Sequence, residues 1–183
     1  TRGVIRKALV RLSTLGLVEL RHNRGAVVAS PGLEESRQIF AARRAIECEL
    51  VEVLAESRPP TALRTLKALI QKENKAYERL ETEQALNLSV EFHRELARLA
   101  GNAVMADILE RLVAQTPLVL LAWQDPGQSG NCTNLDHAMI VEAIEAKDAA
   151  RARALMKCHL CNLEGQLRQS KADPADELAR IFG

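Results

Sequence analysis

Aromatic side chains are nearly missing from this sequence, with one Trp, one Tyr and three Phe among 183 residues. So few flat rings supply no stacking platform for nucleic-acid bases and little material for the aromatic, β-branched core of a sandwich. No stretch approaches the roughly 18 consecutive apolar residues of a membrane span, and the basic, amphipathic start lacks the apolar block of a secretory signal. Cysteine is sparse as well. Cys48, Cys132, Cys158 and Cys161, with no such signal, read as free thiols of a reducing compartment, so a cytoplasmic location and no disulfides are expected. Cys158 and Cys161 form a single C-x-x-C inside a helical stretch, which argues against a zinc knuckle. What is plentiful is Leu and Ala. With 47% hydrophobic residues the chain has enough aliphatic material for one substantial helical core and a small second module.

A net charge of +1 conceals an asymmetry. Residues 1–30 carry Arg2, Arg6, Lys7, Arg11, Arg21 and Arg24 against Glu19 alone, so the remainder is mildly acidic. A basic head on an acidic body suits contact with a polyanion through the head only. Within it, Val4, Ile5, Ala8, Leu9, Leu12 and Leu15 recur at helical spacing and Gly16 supplies a stop. The β-prone runs Leu17–Arg21 and Ala26–Ala29 then flank a turn of His22, Asn23, Arg24 and Gly25, which predicts a hairpin. A basic helix followed by a hairpin with a basic tip is the second half of a winged helix-turn-helix.

These residues resemble a known family. Thr1-Arg2-Gly3-Val4-Ile5-Arg6-Lys7-Ala8-Leu9, then Gly16-Leu17-Val18, then Asn23-Arg24-Gly25-Ala26-Val27-Val28 is similar to the recognition helix and wing of GntR regulators. The resemblance implies that Arg2 and Arg6 contact bases or phosphates and that Arg24 and Gly25 at the wing tip reach the minor groove, a role suited to a bidentate guanidinium. In that family two further helices precede this segment, so the chain reads as an N-terminally truncated version of a longer protein. A recognition helix alone cannot bury its own apolar stripe.

Ser30-Pro31-Gly32 marks the expected boundary between a partial DNA-binding domain, 1–30, and a helical domain, 31–170, followed by a tail, 171–183. Helices are expected at approximately 33–57, 60–82, 84–101, 103–124, 134–146 and 148–169, with Pro126–Gly130 as the longest loop and Asp148 as an N-cap. No internal repeat is present. The fold class is therefore mainly α: recognition helix and hairpin, then an antiparallel bundle of about six helices.

Polar residues stand where that bundle should be apolar. His93 lies mid-stripe among Ser89, Val90, Leu96 and Ala97; His137 heads a row with Ile140, Val141 and Ile144; His159 lies between Met156 and Leu163. Each inward imidazole is either a core residue satisfied by backbone or water, or one of three sharing a divalent cation. Arg43 interrupts the stripe Ile39, Phe40, Ile46, Leu50, and Glu47 one turn on offers an intrahelical ion pair.

Ser89-Val90-Glu91-Phe92-His93-Arg94-Glu95-Leu96 with Ala100-Gly101-Asn102, then Asp136-His137 and Ala143–Asp148, then Ala154-Leu155-Met156 with His159-Leu160, resembles the FCD effector domain of FadR-type GntR regulators. Metal-binding members use one Asp and three His. The three His carry over to His93, His137 and His159, but the Asp position is Ser89, a poorer ligand, and Asn87 and Glu91 lie off the inward row. Arg43 matches the family's cavity-lining Arg. The resemblance thus implies a repressor that senses a small carboxylate-like metabolite beside a divalent ion such as Zn or Ni, acts on operator DNA and works as a homodimer. Apolar outer faces of the first and fourth bundle helices, Leu118–Trp123 among them, offer dimer surface. Two other readings remain open at this point: a metal-dependent enzyme using three His and an activated water, and a helical adaptor without a ligand.

Overall fold

In the computed structural model of the chain, residues 1–22, 24–57, 59–123 and 133–167 are described. The expected loop at Pro126–Gly130, Cys132 and the tail at 171–183 lie outside the described residues, as does Asn23 of the wing, and the last helix, expected to reach 169, ends at Gly165. Helix α1 (Arg2–Thr14) leads into strands β1 (Val18–Arg21) and β2 (Gly25–Val28), followed by α2 (Leu33–Ser57), α3 (Pro60–Glu78), α4 (Thr82–Leu99), α5 (Ala103–Trp123), α6 (Thr133–Glu145) and α7 (Ala149–Gly165). The mainly helical architecture matches the reading of the sequence. Among the described residues no helix is long and apolar enough to cross a membrane.

The N-terminal segment folds as expected. The strands pair antiparallel from Val18↔Val28 to Arg21↔Gly25, with Gly25 at φ +83° where the tight turn requires a left-handed residue. Gly16, at φ +73°, ends α1 in a Schellman arrangement, with the Leu17 amide donating to the Leu12 carbonyl. No residue of α1 is buried, and Val4 and Ile5 stay about two-thirds exposed, at 66% and 62%. The amphipathic stripe is partly covered at Leu9 and open at Val4 and Ile5.

In the six-helix body, α2 is central and packs against α4, α5, α6 and α7, while α3 covers α4 and α6. Its core is aliphatic, built on Phe40, Leu50, Leu54, Leu66, Leu96, Leu109, Ile140, Ile144, Met156 and Leu160, all fully buried. Among the helix ends that differ from the sequence expectation, two share one reason. Helix α3 stops at Glu78 because Leu80 turns left-handed, at φ 58°, and the Glu81 amide bonds back to the Ala76 carbonyl. A Schellman turn on a leucine carries no glycine to announce it, so the helix was expected to continue to 82. Lys147, at φ 59°, does the same after α6. Pro117 sits inside α5 and leaves the Val113 carbonyl without its usual amide donor.

The expectation that all of Leu118–Trp123 forms an outer apolar face is corrected. Val119 and Trp123 are buried, the indole donating to the Pro31 carbonyl at 2.9 Å, and Leu121 is the strongly exposed member. Asp148 is the expected N-cap of α7, its side chain accepting from the Arg151 amide at 2.9 Å. Replacing it with Ala should cost about 1 kcal/mol of folding free energy by chemical denaturation, since one first-turn donor loses its acceptor.

Candidate functional site

Within this aliphatic interior lies a cluster of charged and ionisable side chains. His93 of α4, His137 of α6 and His159 of α7 are all buried, with ring centroids 5.1 Å apart for His93 and His137, 5.3 Å for His93 and His159 and 4.8 Å for His137 and His159. Phe92, next to His93 on α4, stacks on the His137 ring at 4.1 Å and walls that side of the cluster. The sequence expectation that three imidazoles from separate helices converge is met by the coordinates.

Each imidazole has a carboxyl group on its Nδ1. His93 Nδ1 lies 2.5 Å from Glu47 Oε2 of α2, His137 Nδ1 lies 2.9 Å from Glu73 Oε2 of α3, and His159 Nδ1 lies 3.1 Å from Asp136 Oδ2 of α6. Where the carboxyl group is ionised it can only accept, which places the ring proton on Nδ1 and leaves a lone pair on Nε2. The Nε2 atoms of His93 and His159 face each other 3.4 Å apart, and the Nε2 of His137 is buried with no hydrogen-bond partner. One candidate ligand atom from each imidazole lies within 4.8 Å of the others. Two nitrogens bound to one tetrahedral zinc at about 2.0–2.1 Å would be about 3.3 Å apart, a spacing that the His93–His159 pair has and that the third imidazole would reach by closing in. Carboxylates on the far ring nitrogens are the arrangement that orients imidazole ligands and raises their basicity.

Glu47 is shared. Its Oε1 accepts from Arg43 Nε at 2.6 Å, and Arg43 Nη1 donates to Thr116 Oγ1 of α5 at 3.0 Å. The intrahelical pair foreseen from the i,i+4 spacing is therefore present, but it does not exhaust the guanidinium: Nη2 is buried without a partner. Ser89 is buried one turn before His93, while Asn87 and Glu91 are exposed, as the stripe implied. Arg2, Arg6, Arg24 and Gly25 are all exposed on the N-terminal helix and hairpin.

Three carboxyl groups and Thr116 were not singled out as site residues. Glu73 was visible in principle, because it falls in the α3 row Ala62, Leu66, Ile70, Ala76, where a carboxylate is as anomalous as Arg43 is in α2. Asp136 and Thr116 gave no such signal, since a first-turn Asp and a helical Thr are ordinary.

Burial sets the electrostatics. Desolvation drives the pKa of His93 down from 6.5 to about 3, although the Glu47 carboxylate pulls the other way. Burial and the nearby His159 hold His137 well below its ordinary value. Desolvation opposes the charge on Glu47, yet Arg43 and His93 keep this carboxyl below the usual carboxylate range. Glu73 has no cation beside it, and burial lifts it to about 7. The two neutral imidazoles bind protons more readily when unfolded, so stability is lost as pH falls below 6.5 towards 3. Glu73 contributes oppositely between about 7 and 4.5. Two imidazoles lose stability on acidification and one carboxyl returns part of it, so metal-free protein should be about 1–2 kcal/mol less stable at pH 5 than at pH 6.5. Urea denaturation at the two pH values, with a chelator present, checks this.

Comparison with known proteins agrees with this architecture. The chain is 24% identical over 176 residues, 96% of its length and 77% of the relative's, to the HTH-type transcriptional repressor RspR of Escherichia coli strain K12. The HTH-type transcriptional regulator YdfH of Shigella flexneri matches to the same extent. Among solved structures, a GntR transcriptional regulator from Rhodococcus sp. RHA1 superposes with a TM-score of 0.77 at 22% identity, over 91% of this chain and 79% of that one. McbR/YncC of E. coli gives a TM-score of 0.70 at 20% identity, over 88% and 83% respectively. At such identities the structural likeness carries the fold alone. The relatives named are regulators, not enzymes. The model of the FCD domain matches residues 38–162, more than half of the chain and all three histidines with their carboxylates, and the chain accordingly belongs to the FCD domain family.

Proposed function

We propose that this protein is a ligand-responsive, DNA-binding transcriptional repressor whose helical body senses a small organic acid at a metal-containing site. The observation that carries the reading is the set of three buried imidazoles whose Nδ1 atoms are each held by a carboxyl group, with the Nε2 of His137 left unpaired. Burying such an atom without a partner is costly, and a cation shared with His93 and His159 removes the cost. The donor set suits zinc or nickel. Ser89, standing where the family pattern has Asp, leaves coordination positions to water or the effector. A bound divalent ion supplies positive charge and open positions for an oxygen ligand. The unpaired Arg43 Nη2 offers a donor of the kind that grips a carboxylate.

In the same reading residues 1–30 are a partial winged DNA-binding domain and 31–170 the effector domain. Arg2 and Arg6 on α1 meet the major groove, and Arg24 and Gly25 at the hairpin tip meet the minor groove of operator DNA. The exposed side chains of Val53 on α2 and of Val104, Ile108 and Leu121 on α5 are apolar surface suited to a homodimer. Two-fold pairing would present two heads to two half-sites.

Purified protein should bind about one equivalent of zinc per chain by calorimetry and elemental analysis. His137→Ala should reduce metal content at least tenfold, and Asp136→Asn should weaken zinc binding by roughly 10–100-fold by loosening His159. Undiminished stoichiometry in His137→Ala removes that residue from the ligand set. A thermal-shift series with acetate, malate and citrate should show a zinc-dependent stabilisation by at least one of them that Arg43→Ala loses while the zinc-induced shift persists.

A further inference from the structure

Helix α5 touches both the buried cluster and the N-terminal segment, and it does so through consecutive residues. The Thr116 hydroxyl accepts from Arg43 Nη1 at 3.0 Å and donates to the Leu112 carbonyl at 3.3 Å. Its neighbour Gln115 donates from Nε2 to the Leu15 carbonyl at 3.2 Å, at the C-terminal end of α1, and to the Arg111 carbonyl at 3.2 Å. The fit to the next residue is close: a Cβ on Gly16 would lie 2.7 Å from Gln115 Nε2 and 2.9 Å from its Cδ. At φ +73° a side chain at Gly16 would be strained in any case, so glycine here permits the approach as well as the turn. Around this contact the joint is loose. A polar cleft of about 280 Å³ opens beside Gln115 and Gly16, bordered by Ser13, Glu19, Ser30 and Arg111.

The turn of α5 that carries both residues runs directly into a proline. Pro117 donates no amide hydrogen to the Val113 carbonyl, so this stretch has one backbone bond fewer than a regular helix and can change its curvature at lower cost. One end of the stretch is held by the Arg43–Thr116 bond, and the Trp123 indole fastens α5 to the Pro31 carbonyl, where the chain enters α2.

We infer that Gln115 is a positioning residue that couples the Arg43 site to the DNA-facing helix and hairpin. An anion that draws the Arg43 guanidinium away frees the Thr116 hydroxyl, the turn before Pro117 relaxes, and the Gln115 amide shifts against Leu15 and Gly16. The helix and wing then change their attitude to the body. This rests on the reading of Arg43 as the effector's anchor, but the mechanical link can be tested without any effector, because deleting the Thr116 hydroxyl mimics its release.

The test is a double-mutant cycle on the whole chain, read by amide hydrogen exchange. Thr116→Val should change protection of the peptide covering Leu15, Gly16, Leu17 and Val18 by threefold or more, whereas Thr116→Ser, which keeps the hydroxyl, should leave it as in the parent. In a Gln115→Ala background Thr116→Val should have no further effect on that peptide, and zinc stoichiometry should be unchanged. An equal effect of Thr116→Val in both backgrounds, or none in the parent, overturns the link. If the cycle shows coupling but the carboxylates produce no Arg43-dependent shift, the coupling stands and the effector assignment falls; the reverse pattern separates them in the other direction.

Discussion

The body of this protein is organised around the cost of burying ionisable groups. An unpaired carboxylate, guanidinium or imidazole inside an aliphatic bundle would be destabilising by several kcal/mol, and here all three kinds are enclosed together. The solution is distributed: α2 supplies Arg43 and Glu47, α3 Glu73, α4 His93, α5 Thr116, α6 Asp136 and His137, and α7 His159. Every helix of the bundle contributes at least one partner, so no pair of helices could close over this cluster alone. The polar network and the fold specify each other, the aliphatic contacts providing most of the driving force and the polar ones the register.

The network is not closed, however. Glu47 is satisfied on both oxygens and held ionised between Arg43 and His93, whereas the Nε2 of His137, Oε1 of Glu73 and Nη2 of Arg43 keep unmet capacity in the interior. A purely structural polar core would tend towards full satisfaction. Three of the buried polar atoms without a partner thus belong to this one cluster, which is where the proposed ion and anion would meet them.

The N-terminal segment obeys different physics. Its helix buries nothing, its charge is strongly positive, and its contact with the body runs through a glutamine against a glycine beside a polar cleft. A large apolar interface would have locked the two parts together, while a small polar one allows relative adjustment at low cost. Helix α5 joins these two regimes. It is buried at Leu109, Val113 and Val119, softened at Pro117, and bonded to the cluster on one residue and to the N-terminal segment on the next.

The sequence by itself determined the helical class, most helix boundaries, the basic head and the inward placement of three histidines and Arg43, because periodicity and composition record which face of a helix meets water. It also left the histidines between two readings, core residues satisfied by backbone or water, or ligands of a shared cation. In the structure Nδ1 of each ring meets a carboxyl group, and the Nε2 atoms of His93 and His159 lie 3.4 Å apart. Only the tertiary structure decided which carboxyl groups serve which imidazole, because Glu47, Glu73 and Asp136 lie 46, 64 and 23 positions away from their partners and no local pattern spans such distances. It likewise decided that α3 ends on a left-handed leucine and that Gln115 meets Gly16, contacts made by the packing of helices whose relative rotation is set by the whole core and by no single stripe.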